Sequence, residues 1–120
     1  MPHEKLQKHF VAIDYTKEMV LLAVKTYLGH EVITGLAQYC IDESALSAEA
    51  SIVVRDDFQC KGIGLELLSY LAFVAKKQGL QTFTADVMPE NQAVLRLIEK
   101  LGLEGERRWG KGAFFVKIKL

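Results

Sequence analysis

The segment Gln59-Cys60-Lys61-Gly62-Ile63-Gly64-Leu65 sits between two hydrophobic patterns of different period and forces a sharp turn between them. Upstream, Ala50 to Val54 is a short apolar, β-branched run. Downstream, Leu67, Leu68, Leu71, Ala72, Val74 and Ala75 recur at helical spacing until Lys76-Lys77-Gln78-Gly79 stops them. Strand, glycine turn and helix start together have the form of an anion cradle. The first N–H groups of a helix have no internal acceptors, and the aligned peptide dipoles place partial positive charge there. Glycine at 62 and 64 allows unusual backbone angles and close approach of a phosphate. A plain strand-to-helix connection is the competing reading of the same spacing. Two familiar phosphate motifs fit poorly. The dinucleotide fingerprint needs a third glycine where Leu67 stands, and the P-loop needs its lysine after the glycine, whereas Lys61 precedes it.

The 120 residues suit a single domain that buries roughly two-thirds of its unfolded surface. Fifteen basic and fifteen acidic side chains cancel, so net charge points to neither a nucleic-acid nor an anionic-membrane partner. Any anion must be held by local geometry. The start, Met1-Pro2-His3-Glu4, lacks the pattern of a signal peptide, and the most apolar window, Leu65 to Ala75, is too short to span a bilayer. Cys40 and Cys60 read as two free thiols, which with the missing leader gives a cytoplasmic expectation. His3, His9 and His30 have no ligand spacing, so no metal is expected.

Taken in order, Met1 to Phe10 reads as a short helix or the remnant of one. Strands follow over Met19–Thr26 and Glu31–Ile41, joined by a turn at Tyr27-Leu28-Gly29-His30, with Gly35 marking a bulge or close approach. A third strand covers Ala48–Val54. The helix Ile63–Gln78, a strand Thr82–Val87, a helix Gln92–Leu101 and a final hairpin, Glu104–Trp109 with Ala113–Lys119, complete the chain. The expected class is α+β, an α/β mixed sheet of order β-β-β-α-β-α-β-β with helices packed on it. It is one domain over 1–120, with 19–120 as core and 1–18 as the remnant of an N-terminal helical region. Trp109 and Phe114-Phe115 read as core; Arg107-Arg108 read as a solvated face.

Two blocks carry a family resemblance. Gln59 to Gly64 resembles the Gln/Arg-x-x-Gly-x-Gly/Ala signature of the GNAT family of N-acetyltransferases. Asn91 to Leu103, NQAVLRLIEKLGL, is similar to that family's Asn-x-x-Ala…Glu-Lys-Leu-Gly-Phe segment. The resemblance runs from about Met19 onward, and the stretch from Ala48 to Gln59 looks most like the acetyltransferase domain of protein-lysine acetyltransferases. It implies an acyl-CoA N-acyltransferase fold whose usual N-terminal strand and two helices are missing or shortened, so the chain is either a minimal member or a piece of a longer protein.

The implied reaction is transfer of an acetyl group from acetyl-CoA, as co-substrate, to an amine, either a protein lysine or a small amine. A non-catalytic acyl-CoA-binding or sensor module is the alternative. By the same resemblance the backbone of Gln59, Cys60, Lys61, Gly62, Ile63, Gly64 and Leu65 holds the diphosphate, with Lys61 either adding charge or standing as a solvated lysine. Ile52, Val53 and Val54 offer a strand edge to the pantetheine amides. Glu49 is the candidate base, against a reading as an exposed strand-end carboxylate. Asp86 is the second candidate. Asn91 is placed near the cofactor or serves only as a helix cap. Many members carry a tyrosine acid where this chain has Ile98. A sheet short of its usual helices leaves an open face, for which homodimerisation is the expected cover.

Overall fold

The computed structural model describes residues 6–15, 17–55 and 62–120. The described elements are β1 (Leu6–Asp14), β2 (Glu18–Tyr27), β3 (His30–Asp42), β4 (Ser47–Val54), α1 (Ile63–Lys77), β5 (Thr82–Val87), α2 (Gln92–Lys100), β6 (Gly105–Gly110) and β7 (Ala113–Lys119). The strands form one sheet in the order β1-β2-β3-β4-β5-β7-β6. All neighbours are antiparallel except β4 and β5, which run parallel.

Local chemistry explains most of these boundaries. Two-residue loops, Leu28-Gly29 and Lys111-Gly112, hold both residues at positive φ and close tight hairpins whose twist matches the strands. The register of β2 against β3 shifts between Ala23 and Val24, so Thr34 becomes the extra residue of a bulge. Its side chain is fully buried and donates to the Ala23 carbonyl at 3.2 Å. That satisfies the buried hydroxyl at the kink.

One expectation is overturned at the N-terminus. Residues 6–14 are a strand, not the end of a helix, and they join β2 through a short connection that leaves no room for helices between them. The four-residue spacing of Leu6 and Phe10 suggests a helix when considered alone. The ladder with β2 sets the alternation instead, and Phe10 turns one way to pack on the core while Val11 and Ile13 turn the other.

Both described helices cover the same face. Leu67 and Leu71 of α1 and Leu95 of α2 share one core with Met19, Leu21, Ala37, Tyr39, Phe83 and Val116. Tyr39 is fully buried there, and its hydroxyl donates to the Gln78 carboxamide at the end of α1. Burial, with a smaller push from the Asp14 carboxylate, raises the Tyr39 phenol to about 12 from its ordinary 10.0. The folded state therefore holds this proton more tightly than the unfolded chain. Stability from this group is complete below pH 10 and declines as pH rises toward 12. Urea titrations across that window should show the decline in the wild type and a shallower one in Tyr39→Phe.

The opposite face of the sheet carries no described helix. Val11, Leu22, Leu36 and Val53 are register neighbours across four strands and make an apolar row on it. Four rungs away, Glu18, Cys40, Glu49 and Thr84 form a polar row running into β5.

Candidate active site

The parallel pairing of β4 and β5 lasts three rungs, Ser47 with Thr82, Ala48 with Phe83 and Glu49 with Thr84. Beyond Glu49 the strands part. β4 continues to Val54 still paired to β3, and β5 continues to Val87 paired to β7. Among the described residues, the edge of Ala50 to Val53 that faces β5 has no strand partner. A strand edge of this kind presents main-chain donors and acceptors to whatever enters the gap.

On the helix side the gap opens into a cleft of about 410 Å³, an ordinary size for a small-molecule site. Ile52, Val53 and Val54 form one wall, Gly62, Gly64 and Leu65 a second, and the α2 residues Asn91, Ala93, Val94, Arg96, Leu97 and Lys100 the third. The spacing of Ala93, Arg96, Leu97 and Lys100 is that of a single helix face.

The α1 wall is built for close approach. Gly62 stands before the helix at φ 81, ψ −5, in the left-handed region where a side chain is strained. It makes no side-chain cap, and the first helical bond is Glu66 N–H to the Gly62 carbonyl at 3.0 Å. The N–H groups of Ile63, Gly64 and Leu65 precede that bond and lack helical acceptors. At Gly64 an added Cβ would lie 2.8 Å from Leu97 Cδ1, so the absence of a side chain is what lets α1 and α2 meet at the cleft floor.

Asn91 occupies the N-cap position of α2, yet its side chain makes no cap bond. Its backbone N–H donates to the Met88 carbonyl at 2.9 Å, and the Gln92 carboxamide donates to the Pro89 carbonyl at 2.7 Å. The Asn91 amide is left at the cleft, so capping does not account for it.

The sequence candidates thus divide into three groups. Ile52, Val53, Val54, Gly62, Gly64, Leu65 and Asn91 come together around the cleft, with Ile63 buried beneath it. Gln59, Cys60 and Lys61 lie outside the described residues. Glu49 and Asp86 do not line the cleft; both are exposed on the helix-free face, on the two strands that flank the start of the split. The split connects the two faces. Arg96 and Lys100 were not among the candidates, although their four-residue spacing within the Asn91–Leu103 block would have placed them on one face with Ala93.

Ile98 is half-buried against the core and offers no acid. Trp109 is not core: it is 59% exposed, edge-on to the half-buried Phe114. The Arg108 guanidinium lies 5.5 Å from the Phe115 ring centre, and Arg107 binds Glu99 at 3.0 Å.

Cys40 shares the rung of Glu49. Its thiol is raised above the ordinary value, first by its hydrogen bond to Glu18 Oε1 at 3.3 Å, then by burial and by the Glu18 and Glu49 carboxylates. The thiolate is the reactive form. Cys40 should therefore alkylate more slowly at pH 8 than a free thiol, and Glu18→Gln in a Cys60→Ser background should speed it. An unchanged rate would remove the carboxylate effect.

A mixed sheet split between two parallel strands, with a bare helix N-terminus facing the split, defines an acyl-CoA N-acyltransferase fold. The chain belongs to the Acetyltransferase (GNAT) family, whose model matches residues 2–103. It is 31% identical over 101 residues to Acetyltransferase Pat of Mycolicibacterium smegmatis, a match covering 84% of this chain and 30% of that protein. The GNAT domain of S. lividans PAT superposes with a TM-score of 0.74 at 24% identity, covering 90% of this chain and 64% of that one. The Salmonella typhimurium protein yncA, solved with its cofactor acetyl-CoA, superposes at 0.63 with 26% identity, covering 84% and 64%. The chain thus spans about a third of its curated relative and under two-thirds of these structures. Among the described residues, no helix is long and apolar enough to cross a membrane.

Proposed function

We propose that the protein is an acetyl-CoA-dependent N-acetyltransferase that transfers the acetyl group directly to an amine, with a protein lysine as the favoured acceptor. The observation that carries this reading is the split at Glu49–Thr84, which joins a cleft suited to coenzyme A to an open face bearing two carboxylates. The fit is chemical as well as geometric. The first-turn N–H groups of α1 suit a diphosphate, the free edge of β4 suits pantetheine amides, and no acidic side chain lines the cleft among the described residues.

Bound acetyl-CoA supplies a thioester whose C–S bond breaks as the amine nitrogen bonds to the acetyl carbon. An N–H group on the β4 edge would polarise the carbonyl oxygen; one donor of this kind contributes ~3 kcal/mol to a transition state. A lysine amine has an ordinary pKa of ~10.4 and must lose a proton to attack. Glu49, with Asp86 across the split, would accept it on the open face. Ile98 supplies no proton, so the departing thiolate leaves without help from that position. We place the reaction in the cytoplasm and assign the open apolar face to self-association, with a small amine as the second acceptor class.

Thiol release from acetyl-CoA, followed with a lysine-containing peptide and with free amino acids, tests the reading. Release that requires the peptide supports it, and release with free amino acids alone moves the acceptor to small amines. Tight acetyl-CoA binding without release in either case would replace the enzyme reading by that of a binding module, the reading that Ile98 favours.

A further inference from the structure

We infer that Arg96 and Lys100 form a second anion subsite in the cleft, one that engages the 3′-phosphate of coenzyme A and makes the protein select against the dephospho form. The inference rests on the coenzyme A reading and deepens it. The chain has no net charge, so a polyanion is held by local groups, backbone N–H dipoles and nearby cations, and not by a global field. Among the described residues, Arg96 and Lys100 are the cations that line the cleft, one helical turn apart on the α2 face. Like charges at that spacing repel, so the pair is unfavourable in the free protein and becomes favourable when an anion lies between them.

Their position follows from Leu97. It lies on the helix between the two, and its Cδ1 comes within 2.8 Å of where a Cβ on Gly64, in the first turn of α1, would stand. The cation pair therefore flanks the same level of the cleft as the N–H groups of Ile63 to Leu65, which have no helical acceptors. Coenzyme A carries a diphosphate and a phosphomonoester on the same ribose, so two anion subsites side by side match its chemistry. A phosphomonoester bears a charge of ~−2 at neutral pH and accepts from a guanidinium in paired geometry. Neither cation is committed elsewhere among the described residues. The one acidic residue near them on α2, Glu99, is bound by Arg107 on β6.

Calorimetric titration of the wild type and of Arg96→Gln/Lys100→Gln with acetyl-CoA and with acetyl-dephospho-CoA tests the subsite. The wild type should prefer acetyl-CoA by about tenfold, the discount for exposed cations included, and the double variant should bind both ligands equally. Its affinity for the dephospho ligand should match the wild type's, and circular dichroism should be unchanged because both side chains are exposed. A double variant that keeps the preference, or a wild type without one, overturns the subsite and leaves the coenzyme A reading standing. A wild type that binds neither ligand overturns both.

Discussion

Glu49→Gln should lower turnover by about 10²- to 10⁴-fold, the range for loss of a general base, while leaving acetyl-CoA affinity at the wild-type value. The separation follows from the two faces of the sheet. Glu49 projects from the last paired rung of β4 and β5 on the helix-free face, whereas the cleft lies among the helices. The exposed side chain takes no part in the core, so the amide should fold as the acid does. Steady-state kinetics beside calorimetry make the comparison. A second signature distinguishes proton removal from positioning. As pH rises toward the acceptor's own pKa of ~10.4, free amine accumulates and the deficit of the variant should shrink. Unchanged turnover in Glu49→Gln, with a loss in Asp86→Asn, would transfer the role to Asp86 across the split.

What could be read from the residues, and what could not, divides along the range of the forces involved. The hairpin loops, the helix starts and the β4–turn–α1 unit are dictated by neighbours in sequence. Glycine at positive φ after α1 and α2, the Leu28-Gly29 loop and the leucine spacing of α1 are all local signals, and each element lies within a residue or two of its expected bounds. Residues 6–14 are different. Their strand character comes from β2, which pairs with every residue of them, and no local pattern announces it. The pairing of β4 with β5 for only three rungs is likewise a property of the assembled sheet. So is the face taken by Glu49, which depends on register.

The site shows the same division. The glycines and Asn91 are readable because the backbone geometry they permit is itself local. Arg96 and Lys100 read as ordinary surface cations until the packing of Leu97 over the side-chain-free Gly64 places their helix face against the cleft. Trp109 reads as core in the sequence. On the outer strand β6 it has Phe114 on one side and solvent on the other, which apolar surface tolerates at isolated positions.

Gly62→Asp should reduce acetyl-CoA affinity by about 100-fold or more, because it sets a carboxylate where the diphosphate must lie; like charges brought together at an interface oppose binding by several kcal/mol. Backbone strain adds a separate term. Gly62 sits at φ 81, a conformation that disfavours an L residue by ~1–2 kcal/mol, although aspartate and asparagine tolerate it best. Among the described residues nothing lies within 4 Å of the added Cβ, so no clash with them confuses the result. The new carboxylate would also meet the positive end of the α1 dipole, which favours the helix and offsets part of the strain. The fold should therefore survive, as a thermal melt close to the wild type's would show. Gly62→Asn supplies the control, with nearly the same shape and backbone demand but no charge. Affinity lost in the aspartate variant and largely kept in the asparagine one would locate an anion at the start of α1. Equal loss in both would mean that the turn's geometry, not its electrostatics, governs binding. Wild-type affinity in both would remove the α1 N-terminus from the coenzyme A site.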